Sequence, residues 1–158
     1  TFRVLDVYSG SDLFRMDTGG RQRILDLYSR PDCKQLVVCA NQKHGSSSIC
    51  IQRGSLLDET PSASTPFGEG IAVHGETIFD ACFFSLGSNE NTCFLLTGSE
   101  DCTSKVYLCE KNRIVDYHPL TPQESCVRAV CSSQIDKTSA LLVVGGGKLV
   151  LQFFLVKL

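Results

Sequence analysis

Ile78-Phe-Asp-Ala-Cys-Phe-Phe84, a polar gap, Cys93-Phe-Leu-Leu-Thr-Gly-Ser99, a short turn, then Ser104-Lys-Val-Tyr-Leu108: this stretch decides the fold. Each apolar run is too short for a helix and rich in β-branched, aromatic and cysteine side chains, so it reads as a strand. The Gly, Ser, Asn and Asp between the runs are turn formers. The same pair of runs returns downstream as Val127-Arg-Ala-Val-Cys131 and Ala140-Leu-Leu-Val-Val-Gly-Gly146. It stands upstream as Ile24-Leu-Asp-Leu-Tyr28 and Leu36-Val-Val-Cys-Ala40.

From Gly98 to Gly145 the repeat runs about 47 residues, close to the ~40–45 of a four-stranded propeller blade. The expected fold is therefore all-β: a partial, unclosed propeller of about three four-stranded antiparallel blades. The boundaries read as the end of a blade over 1–20, a blade over 21–57, a surface insertion over 58–73, the best-defined blade over 74–120 and an incomplete blade over 125–158. The insertion carries Asp58-Glu-Thr-Pro-Ser-Ala-Ser-Thr-Pro66, a loop composition. Three blades expose unpaired edges and an apolar flank, so the remaining blades are expected from a longer parent chain, and a lone folded monomer is not expected.

Composition narrows the function classes. The chain has 158 residues, 42% of them hydrophobic, and a formal net charge of −2, which excludes disorder and gives no basic face for autonomous nucleic-acid binding. Nine cysteines, an odd number without any Cys-x-x-Cys pair, argue against a disulfide framework or a zinc knuckle. They read as small buried hydrophobes in a reducing, cytoplasmic compartment. No apolar run approaches the ~20 residues of a membrane-spanning helix.

Catalytic patterns are weak. Gly145-Gly-Gly-Lys148 lacks the earlier glycine and following Ser or Thr of a phosphate loop, and a strand follows it where a helix N-terminus is required. Gly68-Glu-Gly70 lacks a third glycine. Pairing Cys82 or Cys102 with His74 as a nucleophile and base has no local signature. His44 and His118 read as loop residues, and Glu100 as a solvated turn residue. No metal or cofactor is expected, and the chain reads as a non-enzyme.

His74-Gly75 before the first strand, Thr97-Gly-Ser-Glu-Asp101 after the second and Ser104-Lys-Val-Tyr-Leu108 in the third resemble a WD40 repeat, with His-Gly reversed and Tyr where Trp is usual. The resemblance implies a structural hydrogen-bonded tetrad of His74, Thr97, Asp101 and Tyr107, confined to one blade. Together with Ser125-Cys-Val-Arg-Ala-Val130 and Leu141-Leu-Val-Val-Gly-Gly-Gly147, these motifs resemble the WD repeat-containing protein 6 family over roughly residues 74–156, about half the chain. That likeness implies a non-catalytic subunit holding a tRNA ribose 2′-O-methyltransferase, with tRNA reached through the complex and S-adenosylmethionine bound by the partner. A scaffold in another assembly, a ubiquitin-ligase adaptor or a trafficking complex, shares the same sequence features.

Overall fold

A computed structural model describes residues 2–16, 23–29, 34–43, 46–55, 72–88, 92–110 and 113–158. All regular structure among them is β, in antiparallel sheets that do not close into a ring. The first sheet pairs β1 (Phe2–Leu5) with β2 (Asp12–Met16). The second runs β3 (Arg23–Ser29), β4 (Lys34–Lys43), β5 (Ser46–Ser55) and β6 (Ala72–His74) in chain order. The third is β7 (Ile78–Phe84), β8 (Thr92–Ser99), β9 (Ser104–Glu110) and β10 (Arg113–Pro119), again a simple meander. The fourth holds β11 (Val127–Gln134), β12 (Ser139–Gly146) and β13 (Leu151–Lys157). Residues 58–71 of the insertion and His44 lie outside the described residues, while residues 72 and 73 belong to β6.

Sheets stack through their first strands, β7 lying against both β3 and β11. Strands β7 to β9 of the third sheet are largely buried on both faces, which is why β8 reads as an almost continuous apolar run rather than an alternating one. One shared core joins its Phe84, Leu86, Leu96 and Val106 to Val127, Val130, Ala140, Leu142 and Val144 of the fourth. Gly98 is where β11 comes closest: an added Cβ there would collide with the Val127 side chain. Glycine is the residue that permits this approach.

Two aspartates tie the stack together. The Asp26 carboxylate on β3 accepts the Phe83 N–H of β7 at 2.9 Å, and Asp80 on β7 accepts the Val130 N–H of β11 at 2.9 Å. Each follows a register shift in its own strand, between Ile24 and Asp26 and between Ile78 and Asp80. A bulge of this kind turns the side chain out of the local ladder and aims it at the neighbouring sheet. The equivalent shift in β11 falls between Val127 and Ala129, so the fourth sheet carries an alanine at that place.

Two expectations from the sequence need correction. The apolar run Val4 to Tyr8 predicts a strand along its whole length, but it is strand only to Leu5, because Asp6 Oδ1 accepts the N–H groups of Tyr8 and Ser9 at 2.9 and 2.7 Å and folds the chain into a turn. His118 lies in strand β10, opposite Val106, rather than in a loop.

Candidate functional site

His74 ends β6 and its ring lies in the interior, its side chain 0% exposed. Asp101 sits in the β8–β9 turn, where Cys102 adopts a left-handed φ of 66°. The Asp101 carboxylate is held by the Thr103 N–H at 3.0 Å and hydroxyl at 2.6 Å, and by the Gly75 N–H at 3.0 Å. His74 Nδ1 lies 3.0 Å from Asp101 Oδ2, and Nε2 lies 2.8 Å from Thr97 Oγ1. Tyr107, fully buried on β9, reaches the same Thr97 hydroxyl. The four residues that the WD40 likeness singles out thus form one chain of hydrogen bonds.

The protons can be assigned from the partners. Asp101 only accepts, so His74 Nδ1 donates to it. His74 Nε2 then accepts from the Thr97 hydroxyl, which in turn accepts from Tyr107. Burial pushes the His74 pKa down, partly countered by Asp101, and keeps the ring neutral. Burial opposes ionisation of Asp101, but hydrogen bonds from Thr103 and the contact with His74 outweigh it and hold the carboxyl at about 2. Burial raises the Tyr107 phenol, which stays a donor.

A hydroxyl, an imidazole and a carboxylate in line have the connectivity of a nucleophilic triad. The location forbids that use. Thr97 is 0% exposed and His74 and Tyr107 are buried, so no substrate carbonyl reaches the hydroxyl. Here the array satisfies buried polar groups and clamps the β6–β7 segment to the β8–β9 turn.

The remaining candidates disperse. Cys82 faces Ser132, with Sγ 3.7 Å from its Oγ, and burial pushes its thiol up to about 12, away from any nucleophilic role. Cys102 has its Sγ 3.7 Å from the Glu100 carbonyl, and Glu100 itself is exposed. Arg128 lies over the Phe79 ring at 4.6 Å and Lys105 over Tyr117 at 5.6 Å, so these cations cover aromatic faces. Among the described residues no cluster of His, Cys, Asp and Glu could hold a metal ion. Comparison of the chain with protein-family models, with curated proteins and with solved structures finds no match.

The fourth sheet has a counterpart of the cluster that sequence reading missed. By strand register Val144 stands where Thr97 does and Phe154 where Tyr107 does. Leu149, with φ 60°, repeats the left-handed Cys102. Counting back from Val127 and on from Val144 sets Gln123 in the place of His74 and Lys148 in that of Asp101. Gln123 Nε2 donates to the Val144 carbonyl at 3.3 Å and to Gln152 Oε1 at 3.2 Å, while its buried Oε1 has no partner among the described residues. Lys148 swings outward to Glu124, at 3.1 Å. Beside them opens a cavity of about 370 Å³, lined by Gln123, Glu124, Ser125, Lys148, Val150 and Gln152. No motif announces a glutamine in that role; the signal was its fixed distance from the first strand.

Proposed function

We propose that this chain is part of a WD40-type propeller whose stacked sheets serve as blades of a non-catalytic, cytoplasmic scaffold, holding a tRNA ribose 2′-O-methyltransferase for modification of the wobble nucleotide. The observation that carries the non-catalytic half is the sealed position of His74, Thr97 and Tyr107, the chain's best-organised polar groups, within the interior. Recognition then falls to the loops at the same end of the sheets, where the open cavity beside Gln123 and Lys148 lies. The methyltransferase half rests on the likeness over residues 74–156. The partner enzyme supplies the S-adenosylmethionine site, and tRNA is met through the complex. The described residues include no helix long and apolar enough to cross a membrane.

Affinity purification of the full-length protein from its own cells tests this reading. A ribose methyltransferase among the partners, and loss of wobble 2′-O-methylation when the protein is removed, are the expected results. Unchanged wobble methylation overturns the methyltransferase assignment. Partners drawn only from a ubiquitin-ligase or trafficking assembly would place the scaffold there.

A further inference from the structure

In the third sheet the Asp101 carboxylate is held by two backbone donors, the N–H groups of Gly75 and Thr103, each at 3.0 Å. The fourth sheet keeps both pieces of backbone. Leu149 repeats the left-handed φ of Cys102, 60° against 66°, and the Gly146 N–H donates to the Val150 carbonyl at 3.1 Å as the Ser99 N–H donates to that of Thr103. The bend before the first strand returns as well, with Glu124 and Ser125 in the places of Gly75 and Glu76. The donors equivalent to Gly75 and Thr103 are thus the N–H groups of Glu124 and Val150. Neither has a hydrogen-bond partner among the described residues, and both residues line the cavity of about 370 Å³.

What differs is the side chain delivered to those donors. Lys148 stands where Asp101 does, so a cation replaces the anion. Its ammonium lies 3.1 Å from Glu124, whose side chain is 86% exposed. An exposed pair of this kind holds Lys148 only weakly. Ser125 adds a hydroxyl to the same wall, and Gln123 turns its amide N–H groups away to Val144 and Gln152. Gln152, opposite Val144 in register, is on the face packed against the third sheet, so the cavity does not belong to the sheet's open side. Two backbone donors beside a lysine make a concavity that selects an anion.

We infer that this cavity is a carboxylate-binding site, which takes an aspartate or glutamate side chain from an acidic segment of a protein partner. The chain supplies its own precedent, since a carboxylate occupies the same pair of donors one sheet away. One lysine opposed by Glu124 is too little positive charge to hold a nucleic-acid backbone, which favours a peptide carboxylate over an RNA phosphate. The inference rests on the reading of these loops as the recognition end and gives that end a ligand.

Ligand-observed NMR on the full-length protein tests it, with a capped tripeptide carrying a central aspartate as the probe and its asparagine analogue as the control. The aspartate probe is expected to bind with a Kd on the order of 1 mM, and the analogue at least about 10-fold more weakly. Lys148→Gln should weaken the aspartate probe roughly 3- to 10-fold, and Glu124→Gln should strengthen it about 2-fold. Both side chains are exposed, so neither change disturbs the core. Lys148→Asp brings an internal carboxylate to the same donors, as in the third sheet, and should abolish binding. Hydrogen exchange at the Glu124 and Val150 amides should slow in the unaltered protein saturated with the probe, and in Lys148→Asp without it. Charge reversal alone would leave those amides unprotected. Absence of binding, equal binding of both probes, a Lys148→Asp variant that still binds, unprotected amides, or a short RNA oligonucleotide that displaces the probe would each overturn the inference. Copurification of a methyltransferase reads the partner and these titrations read the site, so either can fail alone.

Discussion

In the third sheet, a buried imidazole and a carboxylate join the segment before the first strand to the turn after the second. In the fourth sheet an amide and a surface ion pair stand between the same two pieces of backbone. The backbones themselves agree closely. Ser99 N–H donates to the Thr103 carbonyl at 3.1 Å, and Gly146 N–H to Val150 at 3.1 Å. Glu100 N–H donates to Thr77 at 2.9 Å, and Gly147 N–H to Cys126 at 3.1 Å. The two sheets therefore separate two contributions that are usually seen together. Strand pairing and one left-handed residue set the turn, and the polar cluster is a clamp added to it. Where the clamp is absent, a cavity and an unsatisfied oxygen remain.

The sharpest way to break this comparison is to delete each clamp. His74→Ala takes away the imidazole partner of both the Thr97 hydroxyl and the Asp101 carboxylate and is expected to cost about 2–4 kcal/mol in denaturant unfolding. Gln123→Ala, removing an amide already half-satisfied, should cost about 1 kcal/mol or less. Equal losses would mean that the cluster contributes no more than packing.

Next in size are the links between sheets. Asp80→Ala deprives the Val130 N–H of a charged acceptor and should cost about 1.5–3 kcal/mol. It should also speed amide exchange at Val130 while sparing β8–β9. The fourth sheet already has Ala129 at the corresponding place, so Ala129→Gly should lack that effect. An Asp80→Ala variant with unchanged exchange at Val130 would show the contact to be incidental.

Acidification should act on the third sheet first. The His74 pKa is lowered on folding from an ordinary 6.5, so the unfolded chain takes up its proton more readily. That stabilisation is present above pH 6.5 and declines as the pH falls below it. Asp101, lowered from 3.8 to about 2, adds a second loss as the pH falls from about 4 toward 2. Asp101 is only half-buried, so solvent screening keeps its share small. In His74→Gln the decline beginning near pH 6.5 should vanish while the one below pH 4 persists.

How much of this was legible differs element by element. The inner strands were plain because apolar runs bounded by turn residues have few alternative readings. β10 was missed because Asp116, His118 and Pro119 belong to an outer strand exposed along most of its length, where no apolar pattern is required. The turn at Asp6–Gly10 was hidden because Val7 and Tyr8 favour strands, and the Asp6 carboxylate overrides them. His74 and Asp101 were visible as a motif. Asp26 and Asp80 repeat as Ile-x-Asp, yet their meaning was hidden, since each partner is a backbone N–H far along the chain and backbone donors leave no mark in sequence.

The smallest expected effect comes from moving the clamp. Carrying Gln123→His, Val144→Thr, Lys148→Asp and Phe154→Tyr together would give the fourth sheet the side chains of the third on a backbone turn that already matches. Each change alone should be neutral or harmful. Val144→Thr buries a hydroxyl without a partner at about 1–3 kcal/mol, whereas Lys148→Asp gives up only an exposed ion pair worth about 0–1 kcal/mol. Combined, the groups satisfy one another, so the set should stabilise by about 1 kcal/mol, with a coupling energy of about 0.5–3 kcal/mol in a multiple-mutant cycle. The net gain is small because Gly146 stands where Ser99 is, and Ser99 Oγ donates to the Thr77 carbonyl at 3.0 Å in the third sheet. Adding Gly146→Ser tests that account: it should improve the grafted set and do harm in the unaltered chain, where an added Cβ would collide with Gln123.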